Sequence, residues 1–494
     1  MWHPLSSPTR PTPRRRNASA RRPRLESLEG RVVLSVAFDS VLGVGSDTAA
    51  VLAKDNAVDA AGNTYVTGYL YGPTDLDPAV DRPDGSDILT PRGSTDAFVA
   101  KYAPDNTLVW ARLMGSTLNT SSLYTYEGGD AVSVDGSGNV YVSGGFLGQA
   151  DFGPIRLTSA GDKDVFVAKL DSSGNFLWAK GWGGTTRDLS GGLAVDGSGN
   201  VVSVGTTATV ASGGGSFTPN GFEVRKYGPT GTAAWTKRIN GTNAEGTGVA
   251  TDATGNVYLC GSFRGTMDFD PGSGKKEVTY VTGAAGAGNG FALKLTTSGS
   301  FAWVAPFVAK TAESPNSSAF CTDIAVDVAG DVVVGGYYGG QVDFNPSPTV
   351  DYRLPSSGGG FAAKLSSAGA LAWATPLGGA YINSLALDAS GSVYLTGNFS
   401  QVFTPGFGLP SATSNGGSDV FVAQLSNTGA VNWAVTFGGT GSDNGYAVAV
   451  DSAGTVYVAG TYSNTVDFDP DPVATYELTN PAKGDMFLLK LRRR

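Results

Sequence analysis

Carboxylate side chains in two recurring patterns are the residues of this sequence whose types and spacing could do chemistry. In the first pattern two Asp stand two positions apart before a Pro, and the pairs are Asp75 with Asp77, Asp268 with Asp270, and Asp467 with Asp469. Carboxylates at positions i and i+2 of an extended segment can share one side, and their oxygens suit Ca²⁺. One pair provides fewer than the roughly six to eight oxygens that Ca²⁺ takes, so the alternative is a set of Asx turns that order the loops. The sequence predicts no obligatory cofactor and leaves Ca²⁺ as a candidate ion.

The second pattern is a group of carboxylates that each precede a recurring Asp by eight positions. They are Glu127, Asp188 and Asp443, and the polar or aromatic side chains grouped with them are Tyr124, Tyr126, Arg187, Asn383 and Asn444. Such a set could bind a cation or a sugar hydroxyl, whereas the competing interpretation is a solvated rim with capping carboxylates. Two carboxylates roughly 5 to 10 Å apart, one with a raised pKa, would instead suit a glycosidase or a polysaccharide lyase.

Composition excludes several other kinds of site. The only histidine, His3, precedes the repeated region, which therefore lacks an imidazole for Ser-His-Asp or Cys-His catalysis. Cys260 and Cys321 are too few for a disulfide framework, and Cys260 takes a position that holds a small residue in other repeats. Eight Arg and two Glu give residues 1–31 a charge of +6, which leaves −15 on the rest of a chain whose net charge is −9. This acidic balance argues against nucleic acid as a partner, and no apolar run is long enough for a transmembrane segment.

A sequence phrase that recurs seven times predicts the secondary structure that positions these carboxylates. The phrase has the form Ala-Val-Asp-x-x-Gly-Asn-x-Tyr-Val-x-Gly, and its anchor residues are Asp59, Asp135, Asp196, Asp252, Asp327, Asp388 and Asp451. Successive anchors lie 56 to 76 residues apart, which is too long for a solenoid turn and typical of a four-stranded propeller blade with loops. We therefore expect an all-β chain in which residues 32–494 form a seven-bladed β-propeller of four-stranded antiparallel blades.

Within each repeat, β-branched and aromatic runs predict two hairpins, whose strands are called A, B, C and D. Strands A and B are 446–451 and 456–462 in the last repeat, and strands C and D are 164–170 and 176–180 in the second. Gly-containing turns join A to B and C to D, so the anchor Asp is interpreted as an acceptor for backbone N–H groups of the turn. The absence of strict apolar and polar alternation predicts strands that are covered on both faces.

Two further repeated side chains have structural interpretations. A Trp of strand D is expected to pack between blades, and its copies are Trp110, Trp178, Trp235, Trp303, Trp373 and Trp433. A Lys of strand C is expected to reach solvent or to pair with a carboxylate. Its copies are Lys101, Lys169, Lys226, Lys294, Lys364 and Lys490, and Gln424 replaces it in the sixth repeat.

The seventh repeat ends at its strand C, and the N-terminus supplies a candidate for the missing strand D. The run Val33–Phe38 precedes the first strand A, with Val36 in the position of the Trp. Pairing of this outer strand with the C-terminal strand would close the ring and leave no exposed sheet edge.

These motifs resemble the bacterial SBBP, or seven-bladed β-propeller, repeat proteins. The resemblance rests on the recurring phrase, on Asp-x-Phe-Val-Ala-Lys-Leu and on Trp-Ala-x-x-x-Gly-Gly, and it covers about residues 33 to 494. It implies a propeller that is usually secreted or on the cell surface, and it brings no established activity or catalytic residue.

The N-terminal arm has a different composition. Residues 1–31 are rich in Arg, Pro and Ser, so we expect a basic, disordered, export-type segment. Residues 25–35 (LESLEGRVVLS) resemble the LEPR-XLL segment of planctomycete surface proteins, although Gly30 stands where that motif has Pro. This resemblance implies a location in the cell envelope or outside the cell, and the competing interpretation is a plain basic tail.

Loop lengths separate the two faces of the expected ring. The A–B and C–D turns are short, whereas the B–C and D–A connections are long and variable, as at 70–95 and 113–130. Variable loops on a rigid scaffold commonly hold ligands. The sequence therefore favours a monomeric, non-enzymatic module that binds protein or glycan through the long-loop face, or serves a structural role. The alternative is a propeller enzyme, a polysaccharide lyase or a glycosidase, that uses the carboxylates of Glu127, Asp188 and Asp443, which are expected at the mouth of the central channel.

Overall fold

The chain folds into β-strands and turns. The structure, a computed structural model, describes residues 36–45, 50–80, 82, 85, 87–118, 126–208, 219–279, 288–308 and 317–493, with backbone only at 481–483. Ser35–Arg494 form one compact unit. All regular elements of the described residues are strands, so this part of the chain contains no helix that could cross a membrane.

The described residues contain thirty-four strands, which are numbered in chain order. The first seventeen are β1 (Val36–Val44), β2 (Val51–Val58), β3 (Thr64–Leu70), β4 (Thr74–Asp75), β5 (Ile88–Leu89), β6 (Asp96–Tyr102), β7 (Leu108–Ser116), β8 (Gly128–Val134), β9 (Val140–Phe146), β10 (Gln149–Phe152), β11 (Ile155–Thr158), β12 (Asp164–Leu170), β13 (Phe176–Trp182), β14 (Leu189–Val195), β15 (Val201–Ala208), β16 (Pro219–Tyr227) and β17 (Ala233–Asn240). The others are β18 (Glu245–Thr251), β19 (Val257–Phe263), β20 (Thr266–Asp268), β21 (Glu277–Thr279), β22 (Asn289–Leu295), β23 (Phe301–Phe307), β24 (Ser318–Val326), β25 (Val332–Gly339), β26 (Gly359–Leu365), β27 (Leu371–Leu387), β28 (Val393–Thr404), β29 (Ala412–Thr413), β30 (Asp419–Leu425), β31 (Val431–Phe437), β32 (Asn444–Val450), β33 (Val456–Asp467) and β34 (Glu477–Arg493).

Each repeat contributes to an antiparallel sheet in which strands A, B, C and D lie side by side in that order. The order is β8-β9-β12-β13 in the second repeat and β14-β15-β16-β17 in the third. Strand A of one sheet packs beside strand A of the next, as β2 does with β8 and β8 with β14. Four-stranded antiparallel sheets that pack in this way have the architecture of a β-propeller. The prediction of an all-β, propeller-type chain is therefore confirmed.

The middle strands of the sheets are buried on both faces. Every residue of β9 and of β12 is buried, which confirms the interpretation of the non-alternating runs. The strand D Trp links neighbouring sheets, because Nε1 of Trp110 donates to the carbonyl of Ser172 and Nε1 of Trp178 to that of Pro229, each at 3.0 Å. Cys260 and Cys321 are free thiols within one buried apolar cluster.

The anchor Asp organises the A–B turn, as predicted. Oδ1 of Asp59 accepts the N–H groups of Ala61 and Asn63, both at 2.9 Å, and Gly62 has a φ of 81°. Oδ2 accepts the hydroxyl of Tyr65 at 3.0 Å. Partial burial alone would raise the pKa of Asp59, but the hydrogen bonds from Asn63 and Tyr65 outweigh it and hold the pKa below its ordinary value.

The strand C Lys takes one of two roles, according to the residue in strand B. Where strand B supplies a Tyr, the ammonium lies over its ring, as Lys101 does over Tyr65 at 5.1 Å from the centroid. Val202 takes the place of the Tyr in the third repeat, and there Lys226 pairs with the anchor Asp196 at 3.2 Å. The anchor carboxylate therefore has a partner outside the turn in both cases, which is the Tyr hydroxyl or the Lys ammonium.

The N-terminal strand pairs with the C-terminal strand, but the predicted register was wrong. Strand β1 runs from Val36 to Val44 and pairs with β34. In the other sheets the strand C Lys, or Gln424 in the sixth, faces the Trp, and here Lys490 faces Ser40 rather than Val36. A bulge at residue 39 and burial of Leu42 and Val44 in the core set this register. Residues 1–35, including Val33 and the predicted basic arm, lie outside the described residues.

Candidate functional site

A cleft lies on the long-loop face. It has a volume of about 660 Å³ and lies where the fifth sheet meets the sixth. Two tyrosines, Tyr337 and Tyr381, stand in it with ring centroids 5.3 Å apart. Hydroxyl and amide groups surround the rings, and the polar side chains are those of Ser318, Ser357, Ser400 and Gln401. We call this site the tyrosine cleft.

The backbone explains why the tyrosine cleft is open. Strand β27 runs without a loop from strand D of the fifth repeat into strand A of the sixth, so no D–A loop covers this junction. Gly379 lies at the crossing with a φ of 74°, and a Cβ there would stand 1.9 Å from the carbonyl oxygen of Val402. Only Gly fits this close approach. The missing loop leaves Tyr381 about half exposed.

The chemistry of the tyrosine cleft is that of neutral donors and aromatic faces. Burial, together with the charge of Glu245, raises the pKa of Tyr337, so its phenol stays protonated at neutral pH. The ring of Tyr337 also stacks on Phe320 at a centroid distance of 5.1 Å, which fixes its orientation. Preset aromatic faces with hydroxyl groups beside them can bind a sugar ring or an extended peptide.

A small central cavity lies among the first strands of the sheets. Its volume is about 130 Å³, and strands A of all seven repeats contribute to its lining, from Lys54 and Asp55 to Asp323, Asn383 and Tyr446. Asp55 and Asp323 occupy equivalent positions, four residues before their anchors. Each carboxylate accepts the N–H of a residue in the next sheet, Val132 and Leu385 respectively, at 2.8 Å. Burial raises the pKa of Asp55 to about 7 and that of Asp323 to about 6.

The three carboxylates predicted at the channel mouth are buried in the junctions between sheets. Glu127 accepts the N–H groups of Ser116 and Leu147, both at 2.9 Å. Asp443 accepts those of Gly439 and Ser463, at 2.9 and 2.8 Å. Each carboxylate therefore ties the end of one sheet's strand D to the end of the next sheet's strand B.

Asp188 lies in the equivalent junction beside a second carboxylate. It accepts the N–H of Gly184 at 2.7 Å. Burial raises its pKa to about 6, and the charge of Asp164 adds to the increase. Burial also raises the pKa of Asp164, whose Oδ1 is buried without a hydrogen-bond partner among the described residues. Both carboxyl groups belong to residues that are at most 3% exposed.

The remaining residues of the predicted site do not form one group. Tyr124 lies outside the described residues. Tyr126 and Arg187 are close enough for the charge of Arg187 to lower the pKa of Tyr126, although burial dominates and raises it. Asn383 donates to the carbonyl of Gly445 at 2.8 Å, and Asn444 accepts from the amide of Asn398.

The three Asp pairs proposed for Ca²⁺ lie in the B–C connections, where they form Asx turns. Oδ1 of the first Asp accepts the N–H of the second at 2.8, 3.1 and 3.0 Å in Asp75–Asp77, Asp268–Asp270 and Asp467–Asp469. Oδ1 of Asp268 also accepts from Lys276, and Oδ1 of Asp467 from Tyr476. Among the described residues, no three His, Cys, Asp or Glu side chains are grouped as metal ligands. Ca²⁺ binding stays a prediction.

The residues missed by sequence reasoning are those that interrupt the repeat. Tyr69 and Tyr337 both stand ten residues after their anchor Asp. Both lie at the end of strand B and belong to aromatic groups on the long-loop face. Lys54 and Lys163, which lie near Tyr69, were missed as well. Alignment of the seven repeats, followed by a search for bulky or charged side chains at positions that elsewhere hold small ones, would have found them.

Comparison with known proteins gives distant relatives. No family model matches the chain. It is 22% identical to an uncharacterized WD repeat-containing protein of Acanthamoeba polyphaga mimivirus, over 85% of this chain and 35% of that protein. It is 28% identical to the regulatory protein FlaEY of Caulobacter vibrioides, over 68% of this chain and 37% of that protein. The chain thus spans little more than a third of the length of these curated relatives.

Solved propellers are similar at low identity. The WD40 β-propeller domain of Doa1 gives a TM-score of 0.43 at 7% identity, over 93% of this chain and 97% of that one. Sqt1 from Chaetomium thermophilum gives 0.42 at 10%, over 93% and 100%. The polysaccharide lyase Uly1 gives 0.43 at 10%, over 93% and 100%. TM-scores this low assign no function to the chain.

Proposed function

We propose that the seven sheets form a closed seven-bladed ring. Four contacts support the closure. Strand β2 packs against β8 on one side and β32 on the other, β27 packs against β32, and β1 pairs with β34 to complete the sheet β32-β33-β34. A closed ring leaves no sheet edge exposed at the seam. It also provides a rigid base for the long-loop face.

On this base the protein acts as a non-enzymatic binding module whose ligand is a glycan. The observation that carries this proposal is the tyrosine cleft, in which two fixed aromatic rings and several hydroxyl groups are open to solvent on the long-loop face. Tyrosine gives a large contact area at a small cost in side-chain entropy, and the nonpolar faces of sugar rings pack on such surfaces. A protein partner that uses the same face is the second candidate, because peptides use the same aromatic contacts.

A glycan panel tests this function. We expect the intact protein to bind at least one neutral oligosaccharide, and Tyr381→Ala to weaken that binding about tenfold by removing one face of the cleft. Leu177→Ala is the matched control, since Leu177 is equally exposed, at 52%, but lies on an outer strand away from the cleft. Equal affinities for Y381A and L177A, or no binding to any glycan, would reject the proposal.

Burial of the candidate acid and base groups supports a role without catalysis. Glu127, Asp188 and Asp443 are each less than 4% exposed and hydrogen-bonded to backbone N–H groups. A catalytic pair must touch its substrate. Absence of new reducing ends or unsaturated sugars after incubation with polysaccharides is the expected result.

Location and assembly complete the proposal. We infer that the chain works as a monomer in the cell envelope or outside the cell, as its resemblance to SBBP and LEPR-XLL proteins implies. Fractionation of the native organism tests the location, and light scattering of the purified protein tests the monomer. A purely cytoplasmic pool or a stable dimer would contradict the respective part.

A further inference from the structure

Tyrosines and lysines alternate at the mouth of the central cavity, on the long-loop face. Lys54 Nζ lies 4.8 Å from the ring centroid of Tyr446 and 5.8 Å from that of Tyr69. The ring of Tyr69 stacks on Tyr126 at 4.9 Å, and Lys163 Nζ lies 4.4 Å from the centroid of Tyr126. We call these five residues the tyrosine–lysine row. Strands or connections of the first, second and seventh repeats supply its members.

Among the residues that the structure describes, no carboxylate pairs directly with either lysine of the row. Among the described residues, the ion pairs within 4.0 Å include neither Lys54 nor Lys163. Lys226 and Lys364, which are similarly buried, each pair directly with an Asp. Lys163 is 3% exposed, and a buried ammonium without a partner is costly.

Lys54, Lys163 and Arg187 lie around the row together with the carboxyl groups of Asp130, Glu127 and Asp55. Asp130 is the carboxylate whose charge acts on both lysines, and burial raises its pKa. Arg187 adds a third cation that acts on Lys163 and on Tyr126. Burial lowers the pKa of Lys163, and the neighbouring charges of Arg187 and Lys54 lower it further. An anion placed among these cations would relieve their repulsion.

We propose that the tyrosine–lysine row is a binding site for an acidic carbohydrate, a glycan that carries carboxylate or sulfate groups. The proposal rests on the glycan-binding function above and names a class of ligand for a second part of the same face. The carboxylate or sulfate lies beside the half-buried Lys54, where it accepts a charge-assisted hydrogen bond from that ammonium group, and the buried Lys163 adds positive charge behind the row. The sugar ring packs on the exposed part of Tyr446, which is half-buried beside Lys54.

Two features favour a carbohydrate over a free anion or an acidic peptide. The row offers stacked and solvent-facing aromatic rings beside the cations, whereas a small inorganic anion would use the cations alone. A flexible acidic peptide would lose more conformational entropy on binding than a sugar, whose charged group is attached to a rigid ring.

The test uses calorimetric titration of the intact protein with oligogalacturonate, chondroitin sulfate oligosaccharide, neutral dextran oligosaccharide, polyglutamate and sodium sulfate. We expect the acidic oligosaccharides to bind, with an affinity that falls as salt rises. Lys54→Gln should weaken them about tenfold, because one charge-assisted hydrogen bond is lost. Lys54→Arg keeps the charge and should bind nearly as well as the native protein. Lys101→Gln is the control, since Lys101 also lies over a Tyr ring but near an A–B turn.

Each outcome decides between the proposals. Equal binding by K54Q and K101Q, or equal affinity for dextran and oligogalacturonate, overturns the acidic-carbohydrate site while leaving the tyrosine cleft to the Y381A test. Tighter K54Q-sensitive binding of polyglutamate or of sulfate alone overturns the choice of a carbohydrate. Failure of every glycan to bind overturns both proposals.

Discussion

The partner of the anchor Asp depends on the residue in strand B: it is the Tyr hydroxyl where strand B has Tyr, and the strand C Lys where it has Val. Five anchors, among them Asp59 and Asp135, accept a Tyr hydroxyl, and the two repeats that have Val instead use the Lys as the direct partner. Sequence reasoning identified the anchor as a turn acceptor because Asp before Gly is a local signal. It left the role of the Lys open because that role depends on a residue in another strand.

The first prediction compares the two roles of the strand C Lys. Lys226→Gln should lower the free energy of unfolding by about 3 kcal/mol, because it leaves the buried Asp196 without its cation. Lys101→Gln should cost less than about 1 kcal/mol, because it removes a cation–π contact only. Urea denaturation of both variants measures the difference. Equal losses would show that the two lysines act alike.

A second prediction concerns acid stability. Hydrogen bonds from Asn256 and Thr254 outweigh burial and lower the pKa of Asp252 from 3.8 to about 2. Between these values the unfolded chain binds the proton more strongly, so this contribution to stability is complete above about pH 4 and is lost as the pH falls toward 2. Asp252→Asn should therefore destabilise the protein more at about pH 6 than at about pH 2. A destabilisation independent of pH, measured by urea denaturation, would contradict the assignment.

At the scale of the elements, strand β1 shows that a sequence pattern can predict which strands pair without predicting their register. The seventh repeat lacks strand D, and from this the sequence indicated that an N-terminal strand pairs with 486–491. The register was misplaced because Val33–Phe38 and Val36–Val44 are both apolar runs, and a bulge and core packing decide between them.

The corrected register gives a direct test. Leu42→Ala should destabilise the protein by about 3 kcal/mol, because Leu42 is buried beside Met486 and Leu488. Val33→Ala should have almost no effect, because Val33 precedes the paired strand. Thermal unfolding compares the two, and a larger effect of V33A would restore the first register. Deletion of residues 1–45 removes β1 entirely and should cause aggregation through the exposed edge of β34.

One hydrogen bond between strands A of neighbouring sheets is made by an ionisable group, the carboxyl group of Asp55. Burial and the charge of Asp323 raise the pKa of Asp55 to about 7. The folded protein binds this proton more strongly than the unfolded chain, so stability falls as the pH rises from about 4 to 7. Ser384 makes the equivalent bond to Val448 without an ionisable group. Asp55→Ser should therefore reduce the loss of stability between about pH 5 and 8, as followed by thermal unfolding at each pH. Parallel curves for both proteins would contradict the prediction.

At the scale of the whole molecule, the repeated features lie on one face and the features that interrupt the repeat lie on the other. The turns at one end repeat and could be predicted from sequence. The tyrosine cleft could not, because it arises where β27 replaces a loop and brings two repeats together. Glu127, Asp188 and Asp443 were candidate site residues in the sequence, but in the structure they are buried and hydrogen-bonded to backbone N–H groups at the junctions between sheets.

Hydrogen exchange with and without the tightest-binding glycan tests the central claim, that the long-loop face binds ligand. We predict slower exchange at 337–339, 357–359, 379–381 and 400–402, which line the tyrosine cleft, and unchanged exchange in the A–B turns such as 59–63. Protection confined to the A–B and C–D turns would contradict the account.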